Sequence, residues 1–106
     1  MDSLPLVVAA PTKFEGPNAR NVGVQLRAGL SRRSVVIADL TRTWVCDLAA
    51  IGELCLAHEL AAARGAELRI VVSSGSIRDQ FAAAELDAEL HIYPSISLAS
   101  GPDAPS

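Results

Sequence analysis

Aromatic residues are scarce in this chain: two Phe, one Trp and one Tyr among 106 residues. Its core must therefore be built from Ala, Val and Leu, which fill space in small increments. Two cysteines are too few for a disulfide framework, and this points to a reducing compartment. An excess of positive charge is also missing. Nine Lys and Arg against twelve Asp and Glu leave a net charge of −3, so no uniform basic surface is offered to a nucleic-acid backbone. No apolar run reaches the roughly 18 residues that a membrane-spanning helix needs. Met1-Asp2-Ser3-Leu4-Pro5 lacks the basic start and long apolar stretch of a signal peptide. The expectation is a cytoplasmic protein with no membrane insertion and no nucleic-acid partner. What is present is a half-apolar chain with 20% charged residues, a balance that argues against disorder. Its length suits one domain, expected over residues 1–100, with a frayed tail at 101–106.

Periodicity divides the chain into alternating elements. Leu6-Val7-Val8-Ala9-Ala10 reads as a strand closed by Pro11. After a turn-rich stretch, Asn18 is placed as the N-cap of a helix that buries Val22, Leu26 and Leu30, with Gly23 and Gly29 weakening it. Residues 34–40 form the clearest strand, apolar on both faces at Val35-Val36-Ile37-Ala38. Thr41 to Cys46 leads out of it as a loop. Asp47 then takes the N-cap position of a long helix over 48–64, with Ile51, Leu54, Cys55, His58 and Ala62 as its buried stripe. Gly65 closes that helix in the left-handed conformation, where lack of a Cβ costs least. Residues 67–72 are a further strand. Ser76, with Asp79 three residues on, is placed at the start of a helix from 77 to about 85 that buries Ile77, Phe81 and Ala84. A last strand covers 90–93, Pro94 stops it, and Ser95 opens a helical turn through Ala99. This alternation predicts a single α/β domain with a mixed, mostly parallel sheet packed against helices.

Several of these segments resemble the STAS domains of bacterial anti-anti-sigma factors and sulfate transporters. The similarity runs from about Val35 to Ala99, and more loosely over the N-terminal third. Val35-Val36-Ile37-Ala38-Asp39-Leu40 and Val45-Cys46-Asp47-Leu48-Ala49-Ala50-Ile51-Gly52-Glu53-Leu54 stand where the family has a strand, a loop and Asp-Ser-Ser-Gly-Leu. Arg64-Gly65-Ala66-Glu67-Leu68 matches the family's turn into the next strand. Ser76-Ile77-Arg78-Asp79-Gln80-Phe81 and Tyr93-Pro94-Ser95-Ile96 match its later helix and final turn. The resemblance implies a non-enzymatic regulatory module. Its partner would be an anti-sigma factor of ATP-binding kinase fold, which in typical members phosphorylates the first Ser after the Asp. Here that position is Leu48, the second Ser is Ala49 and the Gly is Ala50. Leucine has no nucleophilic oxygen, so this phosphorylation is lost. The partner surface is expected at Asp47, Leu48, Ala49, Ile51 and Gly52, flanked by Arg42, Thr43 and Trp44. The second role compatible with a missing Ser is a subunit of an ABC-type lipid transporter that binds its ATPase.

Other chemistry-bearing residues have plainer readings. Cys46 and Cys55 are expected roughly 12–14 Å apart, too far for a disulfide. His58 and His91 form no i, i+4 pair and accompany no Cys-x-x-Cys, so neither is expected to hold a metal, and no cofactor is expected. A Cys46, His58, Asp47 nucleophile is disfavoured because Asp47 serves as a cap and His58 faces the core. Ser73-Ser74-Gly75-Ser76 reads as a capped turn. Thr41, Thr43 and Ser74 are the hydroxyls left as substitute phosphorylation sites. Trp44 is expected to be partly buried, and for Leu48 exposure and burial weigh about evenly. Charge divides into +3 over residues 1–45 and −6 over 46–106, so the acidic half, with the long helix and the one after it, is expected to suit docking on a basic protein surface.

Overall fold

A computed structural model describes residues 4–101. Its elements are β1 (Leu6–Ala9), β2 (Lys13–Phe14), α1 (Gly16–Leu30), β3 (Val35–Leu40), β4 (Val45–Cys46), α2 (Leu48–Arg64), β5 (Glu67–Val72), α3 (Gly75–Ala83), β6 (His91–Tyr93) and α4 (Ile96–Ala99). The chain is an α/β domain. Four strands form one sheet in the order β1-β3-β5-β6, and every pairing among the described residues is parallel. A second, two-stranded sheet joins β2 to β4. It lies in segments read from sequence as turn and loop, since two-residue strands leave no periodicity to detect.

Alternation along β3 and β5 assigns the two faces of the main sheet. Val36, Ala38, Leu40, Leu68, Ile70 and Val72 belong to one large cluster with Val22, Leu26 and Leu30 of α1, Leu54, Ala57 and Ala61 of α2, and Ile77 and Phe81 of α3. Ile37, Val71 and Tyr93 face the other way and are covered by Ala99 of α4, with Val35 and Ile96 beside them. The helix-side face of the central strands is therefore wholly apolar, whereas the opposite face is apolar at Ile37 and Val71 but also carries the buried Arg69.

The helix boundaries correct the sequence in two places. α1 starts at Gly16, with Glu15 as N-cap, not at Asn18. Asn18 works from inside the first turn: its Oδ1 accepts the Glu15 amide at 2.8 Å, and its Nδ2 donates to the Lys13 carbonyl at 2.7 Å. α3 is capped by Ser74, whose Oγ accepts the Ile77 amide at 3.4 Å, not by Ser76. Beginning one residue after that cap and ending at Ala83, it leaves Ala84 exposed. In α2 the buried stripe is Ala50, Leu54, Ala57 and Ala61, rotated from the predicted Ile51, Leu54, Cys55, His58 and Ala62. Small residues face inward because α2 packs closely against α1 and the sheet. Larger ones, among them Ile51, Cys55 and His58, sit half-buried at the flanks. α2 itself spans 48–64 as predicted, and Gly65 closes it at φ 70°. Of the tail predicted at 101–106, residues 102–106 lie outside the described residues.

Candidate functional site

The start of α2 is positioned by a lattice of backbone bonds at the carboxyl ends of the strands. The Trp44 amide donates to the Thr12 carbonyl at 2.8 Å, and β4 then pairs with β2 through Lys13↔Val45 and Phe14↔Cys46. Thr43 turns inward, where its Oγ1 donates to the Pro11 carbonyl at 2.8 Å. Cys46 is also buried, and its carbonyl accepts from Gln80 Nε2 of α3 at 3.0 Å. With Thr43 and Cys46 fixed inside, the residues between and after them project outward. Trp44 is 77% exposed and Leu48 is 86% exposed.

Asp47 completes the turn into α2. Its Oδ1 accepts the Ala50 amide at 2.9 Å, and its Oδ2 accepts the Gly16 amide of α1 at 3.1 Å. One carboxylate thus satisfies free donors at the start of two helices. Leu48, Gly52 and Leu56 then follow at i, i+4 and i+8 on the outer side of α2, all three exposed. A Cβ added at Gly52 would meet nothing within 4 Å, so a partner can approach the helix backbone there. Beside this row, Thr41, Thr43, Trp44, Ser73, Ser74 and Ser76 line a cavity of about 340 Å³.

The structure sorts the predicted contact residues. Arg42, Trp44, Leu48, Ala49 and Gly52 are on the surface, and Ile51 is half-buried against the core. Thr43 does not belong with them: it is 1% exposed and its hydroxyl is engaged. The same burial removes it as a substitute phosphorylation site. Thr41 is exposed, and Ser74 is half-buried as the α3 cap. Trp44 stands out in solvent, against the expected partial burial, on a backbone pinned to the Thr12 carbonyl. Two of the acidic groups near the start of α2 are engaged within the fold: Glu53 turns toward α1 and pairs with Arg27 at 2.7 Å, and both Asp47 oxygens accept from backbone amides, while Glu59 stays exposed further along the helix.

Burial, reinforced by the Asp47 carboxylate, pushes the Cys46 thiol up to about 11, so it is protonated near neutrality. Burial and the Glu89 and Glu59 carboxylates also raise the Cys55 thiol. Both cysteines are free. His58 and His91 do approach each other, with ring centroids 5.6 Å apart, and His91 Nδ1 lies 3.8 Å from Glu67 Oε2. Sequence reasoning missed this pairing because one ring comes from a helix and the other from a strand 33 positions later. Among the described residues, no three His, Cys, Asp or Glu side chains are grouped to hold a metal. Among them, too, no helix is long and apolar enough to cross a membrane.

A parallel sheet with α1, α2 and α3 packed on one face and a capped helix start at its carboxyl end is the mostly parallel α/β architecture expected from the alternation of elements. The family model of the STAS domain matches residues 6–99, nearly the whole chain. The protein belongs to the STAS domain family. No curated protein matches the chain.

Proposed function

We propose that this STAS domain is a cytoplasmic, non-enzymatic antagonist of an anti-sigma factor. It binds a partner of ATP-binding kinase fold through Trp44, Leu48 and Gly52, with Arg42 and Ala49 at the margin. The observation that carries this reading is the exposure of Leu48 at the first position of α2. There, a hydroxyl that could be phosphorylated would carry about −1.5 to −2 charges after modification and repel or recruit a partner on demand. A leucine offers a constant apolar contact instead. Together with Trp44 it supplies the kind of large, solvent-exposed anchors that dominate binding energy when they enter a partner's pocket. No cofactor is required for such a role.

Affinity capture with the full chain as bait, followed by intact mass spectrometry, tests the reading. The expected partner is an anti-sigma factor of kinase fold, bound by a chain that carries no added phosphate. Leu48→Glu and Trp44→Ala should each weaken that complex by roughly 30-fold or more, the loss expected of an anchor worth about 2 kcal/mol. Capture of an ABC-type ATPase would replace this reading with the transporter-subunit role. Unchanged affinity in both variants would show that the surface is misplaced.

A further inference from the structure

At the end of the sheet opposite Trp44 and Leu48, a cavity of about 300 Å³ is lined by Leu30, Ser31, Arg32, Arg33, Ser34, Arg64, Gly65 and Ala66. Three of the chain's nine basic residues line it, and no acidic residue among the described ones does. From this arrangement we infer a binding site for a phosphate-bearing anion, held by Arg32 and Arg64 with Arg33 beside them.

Arginines at helix ends often serve only to satisfy the last carbonyls. Here backbone amides already do that work. At the end of α1 the Arg32 and Arg33 amides both donate to the Gly29 carbonyl at 2.9 Å, and Ser31 Oγ donates to the Ala28 carbonyl at 2.9 Å. At the end of α2 the Ala66 amide donates to the Ala61 carbonyl at 2.9 Å, and Gly65 to Ala62 at 3.4 Å. Arg33 Nη1 donates to the Leu4 carbonyl at 3.0 Å. The guanidinium groups of Arg32 and Arg64 have no partner among the described residues, unlike Arg27 and Arg69, which pair with Glu53 and Glu67. Two fork-shaped donors with spare hydrogen-bonding capacity, and a third cation next to them, match the several oxygens of a phosphate. With Arg32, Arg33 and Arg64 together and no lining carboxylate among the described residues, the local potential is positive although the whole chain carries −3. The volume suits a phosphate group with a small substituent.

Phosphate could be offered free in solution or on a lipid headgroup, and the experiment separates the two. Amide shifts of the full chain are followed by NMR during titration with inorganic phosphate and pyrophosphate at constant ionic strength, with acetate as the reference anion. Cosedimentation with phosphatidic acid vesicles, against phosphatidylcholine vesicles, forms the second arm. Saturable shifts confined to residues 31–34 and 64–66, tighter for pyrophosphate than for phosphate, are expected. Arg32→Gln and Arg64→Gln should each weaken binding about tenfold, whereas Arg42→Gln, at the other end of β3, should leave it unchanged. Vesicle binding lost in the same two variants would assign the phosphate to a headgroup; shifts without vesicle binding would assign it to a free ligand. Absence of both, or binding that survives Arg32→Gln and Arg64→Gln, would overturn the site.

Discussion

Asp47 accepts the amide of Gly16, thirty-one residues earlier, with one carboxylate oxygen while the other caps α2. The starts of α1 and α2 are thereby tied to one side chain. Asp47→Ala should cost about 1–2 kcal/mol, the range for losing an N-cap and a further backbone bond. Asp47→Asn retains an acceptor for one of the two amides and should lose less. Urea denaturation of the two variants checks the order. Equal stability of Asp47→Ala and the parent chain would mean that the two bonds contribute nothing.

Two buried glycines of α1 should respond differently to alanine. A Cβ at Gly29 would fall 2.7 Å from Leu6 Cδ2 and 3.1 Å from Val36 Cγ2, so these packed side chains would have to shift. Overpacking of this kind costs about 1–3 kcal/mol against the roughly 1 kcal/mol gained in helix propensity, so Gly29→Ala should destabilise by up to about 2 kcal/mol. At Gly23 the obstacle is the movable carboxylate of Glu53. Gly23→Ala displaces it from Arg27, a partly exposed pair worth under about 1 kcal/mol, so with the propensity gain net stability should hold or rise by up to about 1 kcal/mol. Thermal melts of both variants provide the comparison.

Arg69 is the most deeply buried charged residue described, at 2% exposure. Its Nη1 donates to the Ala99 and Gly101 carbonyls at 2.8 and 2.6 Å, and its Nη2 to Glu67 Oε1 at 3.1 Å. Arg69→Met would leave Glu67 and both carbonyls without this donor, which should cost about 3–5 kcal/mol. Hydrogen exchange should show residues 96–101 losing protection before α1 and α2 do. Uniform loss across the chain would instead make Arg69 a general core residue.

The Cys46 thiol titrates near 11 in the folded chain, against an ordinary value of 9.0. Because the folded value is the higher one, the native state disfavours the thiolate. Its stabilising contribution is complete below about pH 9 and is lost as pH rises toward 11. Stability should therefore decline over that window, and Cys46→Ala should flatten the decline. Alkylation at pH 8 should modify half-buried Cys55 well before Cys46, as read by peptide mass.

On the outer side of α2, Gly52→Ala should raise stability by up to about 1 kcal/mol, since the position is open and helical. Gly52→Arg should fold equally well yet weaken the partner complex. Partner affinity that tolerates the arginine would remove Gly52 from the contact surface.

Local signals carried much of this architecture. Asp47 as a cap, Gly65 as a left-handed stop, the 48–64 helix and the doubly apolar β3 all follow from side-chain chemistry and short-range periodicity, which act within a few residues. The inward face of α2 was harder to read because Ala, Leu and Cys occur all around that helix. A uniform apolar surface has no phase, so only the close approach of α1 and β5 selected Ala50, Ala57 and Ala61. β2 and β4 exist only as each other's partners. The ring pairing of His58 with His91 and the double role of Asp47 likewise depend on contacts across the chain.

The alternating elements and the replacement of a hydroxyl by Leu48 are legible residue by residue, because both are properties of neighbours along the chain. Tertiary structure alone decided that Leu48 and Trp44 face solvent, that Thr43 does not, and that Glu53 turns inward to Arg27. Exposure is set by which surfaces meet, and for this aromatic-poor chain those meetings are fixed by small residues that look alike in sequence.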